Sequence, residues 1–291
     1  MRLPTKLVSV AVLVLAFAPS ALFGQTLKVG SKNLTEQLIV AELYAAALEA
    51  ESISVERKLN LGPTPVVHKA LLSGDIDLYP EYTGTALGEV MKVATNDYSP
   101  KETYQKVKAF YEQEFKLLWL TPSDVDNGYV LVARPETAQA MKLKTLSDLA
   151  RVSKSLKFGG GPEFGDRRDG LRGLKDVYGI EFGEYRKFAD LRLRYEALKR
   201  KDLDIVNGFA TDWQIAAEQL SELLDNKRLF PPYVLAPVVR MDTVVGNDKA
   251  VSALNRIGTL IDNATMRELN RQVEVDGKTP RQVAEAFLKQ K

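Results

Sequence analysis

Gly74-Asp75-Ile76-Asp77-Leu78-Tyr79-Pro80-Glu81-Tyr82-Thr83-Gly84-Thr85 follows a helical segment and gathers acids, two tyrosines and a strand-breaking proline in one short stretch. Ile76 and Leu78 supply a short buried strand, Pro80 stops it, and Gly84 permits a turn whose backbone can approach a bound molecule closely. The stretch therefore reads as a strand running into a ligand-facing loop, with Tyr82 and Thr85 turned toward a site. Asp75 and Asp77 share one face of that strand, which is polar or bonds to neighbouring loop amides.

Upstream, residues 27–30 form a short strand, followed by the polar turn Ser31-Lys32-Asn33-Leu34 and a periodic apolar run over residues 38–48. Leu38, Ile39, Leu43, Ala46 and Ala47 fall on one helical face, and Thr35 or Asn33 is placed to cap the first amide groups. The amides and macrodipole of that helix start favour an anion. A second strand is expected over residues 53–59, and Gly62-Pro63-Thr64-Pro65 turns the chain into a helix over residues 66–72. Further helices are expected at 101–114, 146–154, 170–178 and 195–201. Strands alternating with helices at this spacing predict an α/β fold, a mostly parallel sheet covered by helices on both faces.

Two segments read as changes of lobe. The turn Thr121-Pro122-Ser123-Asp124 leads through Asn127-Gly128-Tyr129 into an apolar strand at 130–133, and Phe230-Pro231-Pro232-Tyr233 leads into an apolar run at 234–239. A chain that leaves one lobe, builds another and returns makes a two-strand hinge with a ligand cleft between the halves. The expected organisation is residues 25–125 as the first part of lobe 1, 126–229 as lobe 2 and 230–291 as the return to lobe 1.

Composition narrows the function classes. The 291 residues are 45% hydrophobic, enough for two lobes with their own cores. Lys plus Arg number 40 against 38 for Asp plus Glu, a formal net charge of +2 with no basic run, which gives nucleic-acid binding no support. At the start, Arg2 and Lys6 precede an apolar run at 7–17, and small or helix-breaking residues follow at Ala18, Pro19, Ser20, Ala21 and Gly24. That pattern predicts a secretory signal peptide over residues 1–24, because the apolar run falls short of the roughly 20 residues that span a bilayer. No cysteine is present, so there is no disulfide, thiol nucleophile or lipid-bearing cysteine, and a free periplasmic protein is expected. His68 is the sole histidine; it lies among apolar residues on a helix and reads as structural. One imidazole serves neither serine–histidine hydrolysis nor a multi-histidine zinc site.

The chain resembles the substrate-binding proteins of ABC transporters for glycine betaine, choline, carnitine and related osmoprotectants. The resemblance spans nearly all of the chain after the leader. It rests on Val29-Gly30-Ser31-Lys32-Asn33-Leu34-Thr35-Glu36-Gln37, Gly62-Pro63-Thr64-Pro65, Asp77 through Thr85, Gly161-Pro162-Glu163-Phe164 with Asp169-Gly170, and Phe230-Pro231-Pro232-Tyr233. It implies a two-lobe periplasmic binding-protein fold of type II-like organisation, in which a quaternary ammonium group sits in an aromatic cage and basic and hydroxyl groups hold a carboxylate. Position by position, Tyr82, Tyr129 and Tyr233 match cage tyrosines, Thr85 a hydroxyl at the polar end, and Lys32 a basic residue of the first loop. Where the family commonly has Asp-Ala-Tyr before Thr-Asp, this chain reads Asn207-Gly208-Phe209-Ala210-Thr211-Asp212, making Phe209 the fourth wall. Arg167-Arg168-Asp169-Gly170 carries arginine in place of the family's proline, leaving Arg167 as the aligned basic residue and Arg168 as its rival. Asn127, beside Tyr129, is placed to add a carbonyl dipole near the cation.

Aromatic faces suit such a ligand: trimethylammonium donates no N–H hydrogen bond, and each desolvated ring contact contributes roughly 0.5 to 2 kcal/mol. The resemblance further implies a monomer that presents its solute to an inner-membrane permease with its ATPase, without cofactor or metal. Two rival functions stand beside it: a binding protein for ergothioneine or another amino-acid-like solute, and a cleft enzyme on the same scaffold. The cluster Asp75, Asp77 and Glu81 offers no substrate-positioning pattern for acid–base catalysis, which weighs against the enzyme.

Overall fold

The computed structural model describes residues 26–93, 98–190 and 192–291, so the expected leader at 1–24 lies outside the described residues. Among the described residues ten strands appear in chain order: β1 (Leu27–Gly30), β2 (Val55–Lys58), β3 (Leu78–Tyr82), β4 (Leu117–Trp119), β5 (Tyr129–Ala133), β6 (Lys157–Gly160), β7 (Glu184–Lys187), β8 (Ile205–Phe209), β9 (Ser221–Leu223) and β10 (Leu235–Arg240). They form two five-stranded sheets, ordered β2-β1-β3-β10-β4 and β7-β6-β8-β5-β9. Helices flank both.

The sheets are built alike. In the first, β2, β1 and β3 run parallel while β10 is antiparallel to both β3 and β4. In the second, β7, β6 and β8 run parallel while β5 is antiparallel to both β8 and β9. Each sheet is thus mixed, and its antiparallel member is the strand that enters directly after a crossing between the sheets. The crossings pair with one another: Asp126 and Val234 form an antiparallel bridge, Leu235 N donates to the Val125 carbonyl at 3.0 Å, and Asn127 N to the Tyr233 carbonyl at 3.1 Å. This makes a two-strand hinge whose backbone groups satisfy one another.

Pro80 does not end its strand. It sits in the middle of β3, directly opposite Pro237 of β10. An antiparallel ladder alternates hydrogen-bonded and open pairs, and two residues without N–H groups can face each other only in an open pair. The missing donors therefore leave the ladder intact, and β3 runs on to Tyr82. Gly84 likewise does not form a turn: residues Thr83–Thr85 begin a helix that continues through Ala86–Val90. Asp77 bonds to strand backbone, accepting from Lys28 N at 2.8 Å, and Asp75 accepts from the Ser73 hydroxyl at 2.7 Å, so neither faces a site.

The helix expected at 38–48 occupies Thr35–Ala50, starting from Leu34 with no side-chain cap, so neither Thr35 nor Asn33 plays that part. It packs against the first sheet and the helices Asp248–Gly258, Asn263–Glu274 and Pro280–Leu288. Ile39, Val40, Leu43 and Leu48 are fully buried, and each such side chain contributes roughly 1.5–3 kcal/mol. The helix is apolar around most of its circumference because neighbours cover it on most sides. The helix at 66–72 is Thr64–Ser73, with Pro65 in its first turn and Gly74 closing it at φ 77°. The one at 101–114 is Pro100–Phe115, opened by a Ser99/Glu102 capping box. The remaining three break up or shift: Leu146–Ala150 with a 3-10 turn Ser153–Ser155, Leu171–Gly173 running into a wide turn Leu174–Tyr178, and Arg192–Lys199, which starts and ends earlier than expected.

His68 packs edge-on against Tyr111 and Phe115, with ring centroids 5.4 and 5.0 Å away. It is structural, as expected.

Candidate ligand-binding site

The topology brings equivalent positions of the two sheets to the hinge. Tyr82 ends β3 and Phe209 ends β8, each being the strand beside the crossing strand of its own sheet. Tyr129 opens β5 opposite Phe209, and Tyr233 lies just before β10 on the return crossing. Carboxyl ends of parallel strands at a change of strand order are where open α/β sheets place ligands.

On the side of the second sheet, Tyr129 gathers four rings. Phe209 stacks on it at 5.1 Å and 28°, Tyr233 stands edge-on at 5.7 Å, and Phe164 and Phe230 lie at 5.0 and 5.9 Å. Arg167 reaches into this cluster, its guanidinium carbon 5.5 Å from the Tyr129 centroid and 5.8 Å from that of Tyr233. Asp169 holds it in a two-pronged pair, Nε to Oδ1 and Nη2 to Oδ2 both at 2.8 Å. The Tyr233 hydroxyl accepts from Arg167 Nη2 at 2.8 Å and donates to Asp169. Burial raises the Tyr233 hydroxyl well above its ordinary pKa of 10.0, keeping it a donor at any physiological pH. Arg168 turns outward to the Lys92 carbonyl at 3.3 Å, so Arg167 is the arginine that faces the rings.

Tyr82 belongs to a second cluster. Its ring is not among those touching Tyr129; its hydroxyl donates to Glu36 at 2.5 Å. The same carboxylate accepts from Asn127 Nδ2 at 2.9 Å and from Asn270 Nδ2 at 3.0 Å. Asn127 Oδ1 in turn accepts from Thr211 N at 3.1 Å. Both ends of the Asn127 amide are thus committed, and its side-chain carbonyl is a tie across the hinge, not the free dipole expected from the sequence. Burial raises the Glu36 pKa above 4.5, partly offset by the hydrogen bonds from Thr211, Tyr82 and Asn270.

Lys32 is buried, pairs with Glu81 at 2.5 Å, and lies 5.4 Å over the Tyr82 ring. Glu81 also accepts from Tyr82 N at 2.7 Å and from the Tyr79 hydroxyl at 2.9 Å, so the lysine charge is matched from within the protein. Thr85 is buried next to Gly84, where a Cβ would come within 2.9 Å of both the Pro232 carbonyl and the Tyr233 ring. Gly84 is required for this close approach. Thr83 stitches the same contact, donating to the Pro232 carbonyl at 2.9 Å and accepting from Val234 N at 3.0 Å.

Seven of the eight predicted residues therefore fall into two adjoining groups joined by the hinge, Tyr129, Arg167, Phe209 and Tyr233 in one and Lys32, Tyr82 and Asn127 in the other, while Thr85 lies buried in the helix that begins at Thr83. Sequence reasoning gave no role to Glu36, Glu81, Asp169, Phe164 or Phe230, although each lies inside a quoted motif. Arg194 was also missed. Fully buried, it pairs with Asp212 at 2.7 Å and lies 5.4 Å over Phe209, extending the stack of Arg167, Tyr129 and Phe209 by one more cation. A cavity of about 260 Å³ adjoins Arg167, lined by Gly88, Glu89, Lys92 and Val93 from one side and 166–169 from the other.

Residues 25–290 match the family described as the substrate binding domain of the ABC-type glycine betaine transport system. The ergothioneine transport permease/ergothioneine binding protein EgtU of Helicobacter pylori is 35% identical over 92% of this chain, which spans 48% of that relative's length. The glycine betaine-binding protein YehZ of Escherichia coli is 31% identical over 91% of this chain and 90% of its own. A crystal structure of a glycine betaine/carnitine/choline ABC transporter superposes with a TM-score of 0.78 at 30% identity, covering 91% of this chain and 98% of the other.

Proposed function

We propose, because this chain belongs to the substrate-binding domains of ABC-type glycine betaine transport systems, that it captures a solute carrying a trimethylammonium group and a carboxylate, such as glycine betaine or carnitine, with choline as a weaker cation-only ligand. The observation that carries the reading is the convergence of Tyr129, Tyr233 and Phe209 with Arg167 where the two crossings meet. The rings serve the cation and Arg167 serves the carboxylate, with Tyr82, Thr85 and Lys32 closing the site from the first sheet. Three or four ring contacts at roughly 0.5–2 kcal/mol each supply several kcal/mol, in keeping with micromolar binding near −8 kcal/mol.

A ligand touching both halves favours the closed arrangement by its differential affinity, and closure presents the protein to a permease whose ATPase drives import. The protein acts as a monomer in the periplasm. Among the described residues no helix is long and apolar enough to cross a membrane.

A second reading, ergothioneine, has its own support: the 35% identical relative, and the cavity beside Arg167, which offers room for a ring attached to a betaine core. Titration calorimetry with glycine betaine, choline, carnitine, proline betaine and ergothioneine tests both. Micromolar binding of glycine betaine, carnitine or proline betaine, with choline weaker, supports the osmoprotectant reading, and selective binding of ergothioneine supports the second. Binding of none of the five overturns both.

A further inference from the structure

The corner between Tyr129 and Tyr233 already holds a cation, and that cation belongs to the chain. The two rings stand 5.7 Å apart at 78°; the Arg167 guanidinium lies 5.5 Å from the Tyr129 centroid, within the roughly 6 Å at which an aromatic face attracts a positive charge, and meets Tyr233 at its hydroxyl, Nη2 donating at 2.8 Å with the guanidinium carbon 5.8 Å from that centroid. Phe209 stacks on the same Tyr129 ring at 5.1 Å, so the guanidinium and Phe209 together occupy it. Asp169 fixes the arginine from behind, and Nη1 lies 3.5 Å from Glu89, on the wall of the adjoining cavity. Arg167 therefore has two carboxylate partners, the Tyr129 ring and the Tyr233 hydroxyl around it.

We propose that Arg167 is the cage's own occupant: its guanidinium takes the corner between Tyr129 and Tyr233 that a solute's ammonium must enter, and this exchange selects solutes that also carry a carboxylate. The inference rests on the functional reading above, in that the incoming cation is a quaternary ammonium. A betaine replaces the guanidinium on the rings with its own ammonium and offers the displaced arginine a carboxylate. Choline performs only the first half of the exchange and leaves the arginine with Asp169 and Glu89 alone. Selectivity for zwitterions over plain cations then comes from the displaced residue as well as from the new ion pair.

The test compares tetramethylammonium, choline and glycine betaine by calorimetry on the wild type, Arg167→Gln and Arg167→Gln/Asp169→Asn. The double variant removes both charges, so that a gain is not due to an unpaired Asp169 attracting the cation. Tetramethylammonium and choline should bind the double variant about tenfold more tightly than the wild type, the order of one or two ring contacts released, while glycine betaine binds less tightly. Unchanged or weaker binding of both cations, in a variant whose thermal unfolding remains cooperative, overturns the proposal. Should the double variant not fold, Arg167→Met/Asp169→Asn, which keeps the apolar stem and likewise leaves no unpaired Asp169, decides by the same two outcomes. If the wild type binds none of the solutes named above, the functional reading fails. The tetramethylammonium comparison still decides the inference: a gain supports self-occupancy and no gain refutes it.

Discussion

Gly84→Ala sets two physical effects of opposite sign against each other. Gly84 lies in the helical run that begins at Thr83–Thr85, where alanine is favoured over glycine by up to about 1 kcal/mol on propensity alone. The tertiary contact opposes this: the added Cβ would lie 2.9 Å from the Pro232 carbonyl oxygen and from Cδ1 and Cε1 of Tyr233. Comfortable carbon contacts need roughly 3.5–4.0 Å, so the return crossing and its tyrosine would retreat by about 0.6–1 Å. Retreat is resisted by the Thr83 hydroxyl, tied to the Pro232 carbonyl at 2.9 Å and to Val234 N at 3.0 Å. Overpacking of this kind costs about 1–3 kcal/mol, so the net change is destabilising by about 1 kcal/mol, or roughly 2–4 °C in Tm. Ligand affinity should fall further, on the order of tenfold, because Tyr233 carries hydrogen bonds to both Arg167 and Asp169. Gly88→Ala is the control: its Cβ would meet Arg167 Nη2 at 3.6 Å, an ordinary contact, and Tm should hold or rise. Scanning calorimetry and ligand titration on both variants decide it. A Gly84→Ala protein as stable as the wild type with undiminished affinity would refute the close-approach reasoning.

Tyr82→Ala and Tyr233→Ala should each weaken binding of a quaternary-ammonium ligand about tenfold or more by titration, with Tyr→Phe milder at both sites. Unchanged affinity in both alanine variants would sink the cage assignment. His68 is held below its ordinary pKa of 6.5 chiefly by burial, against the opposing pull of Glu81. The unfolded chain therefore takes up the proton first, so this residue's contribution is present above pH 6.5 and is lost as pH falls toward the folded-state value. His68→Phe should remove part of the stability loss between pH 7.5 and pH 5 measured by urea unfolding, at most about 1.4 kcal/mol per pH unit in the wild type. An identical pH profile in the variant would count against it.

The two-lobe α/β organisation was legible because strand and helix periods and the two Pro-rich crossings are local signals. The first helix was legible as a helix but not as one covered on most sides: its apolar residues were read as a single face, whereas Val40, Ala41, Tyr44 and Ala45 are buried as well. The Pro80 reading failed for a reason no single segment contains: the proline that faces it, Pro237, lies across a sheet pairing formed by the return strand. Gly84 was rightly marked as a place of close approach, but what approaches is the Tyr233 ring, and the expected turn is a helix. Asn127 was placed at the hinge by its neighbours in sequence, whereas its bonds to Glu36 and Thr211 come from elsewhere in the chain.

By itself the sequence determined the alternation of elements, the points where the chain changes sheet, and most of the side chains that meet there. Those features depend on residues within a few positions of one another. Only the tertiary structure decided which charges are matched internally, because Lys32 with Glu81, Glu36 with Asn270, and Tyr233 with Arg167 and Asp169 are pairs far apart in sequence. Electrostatic partners are chosen by distance in space, and that distance exists only once β5 and β10 have carried the crossings into their two sheets.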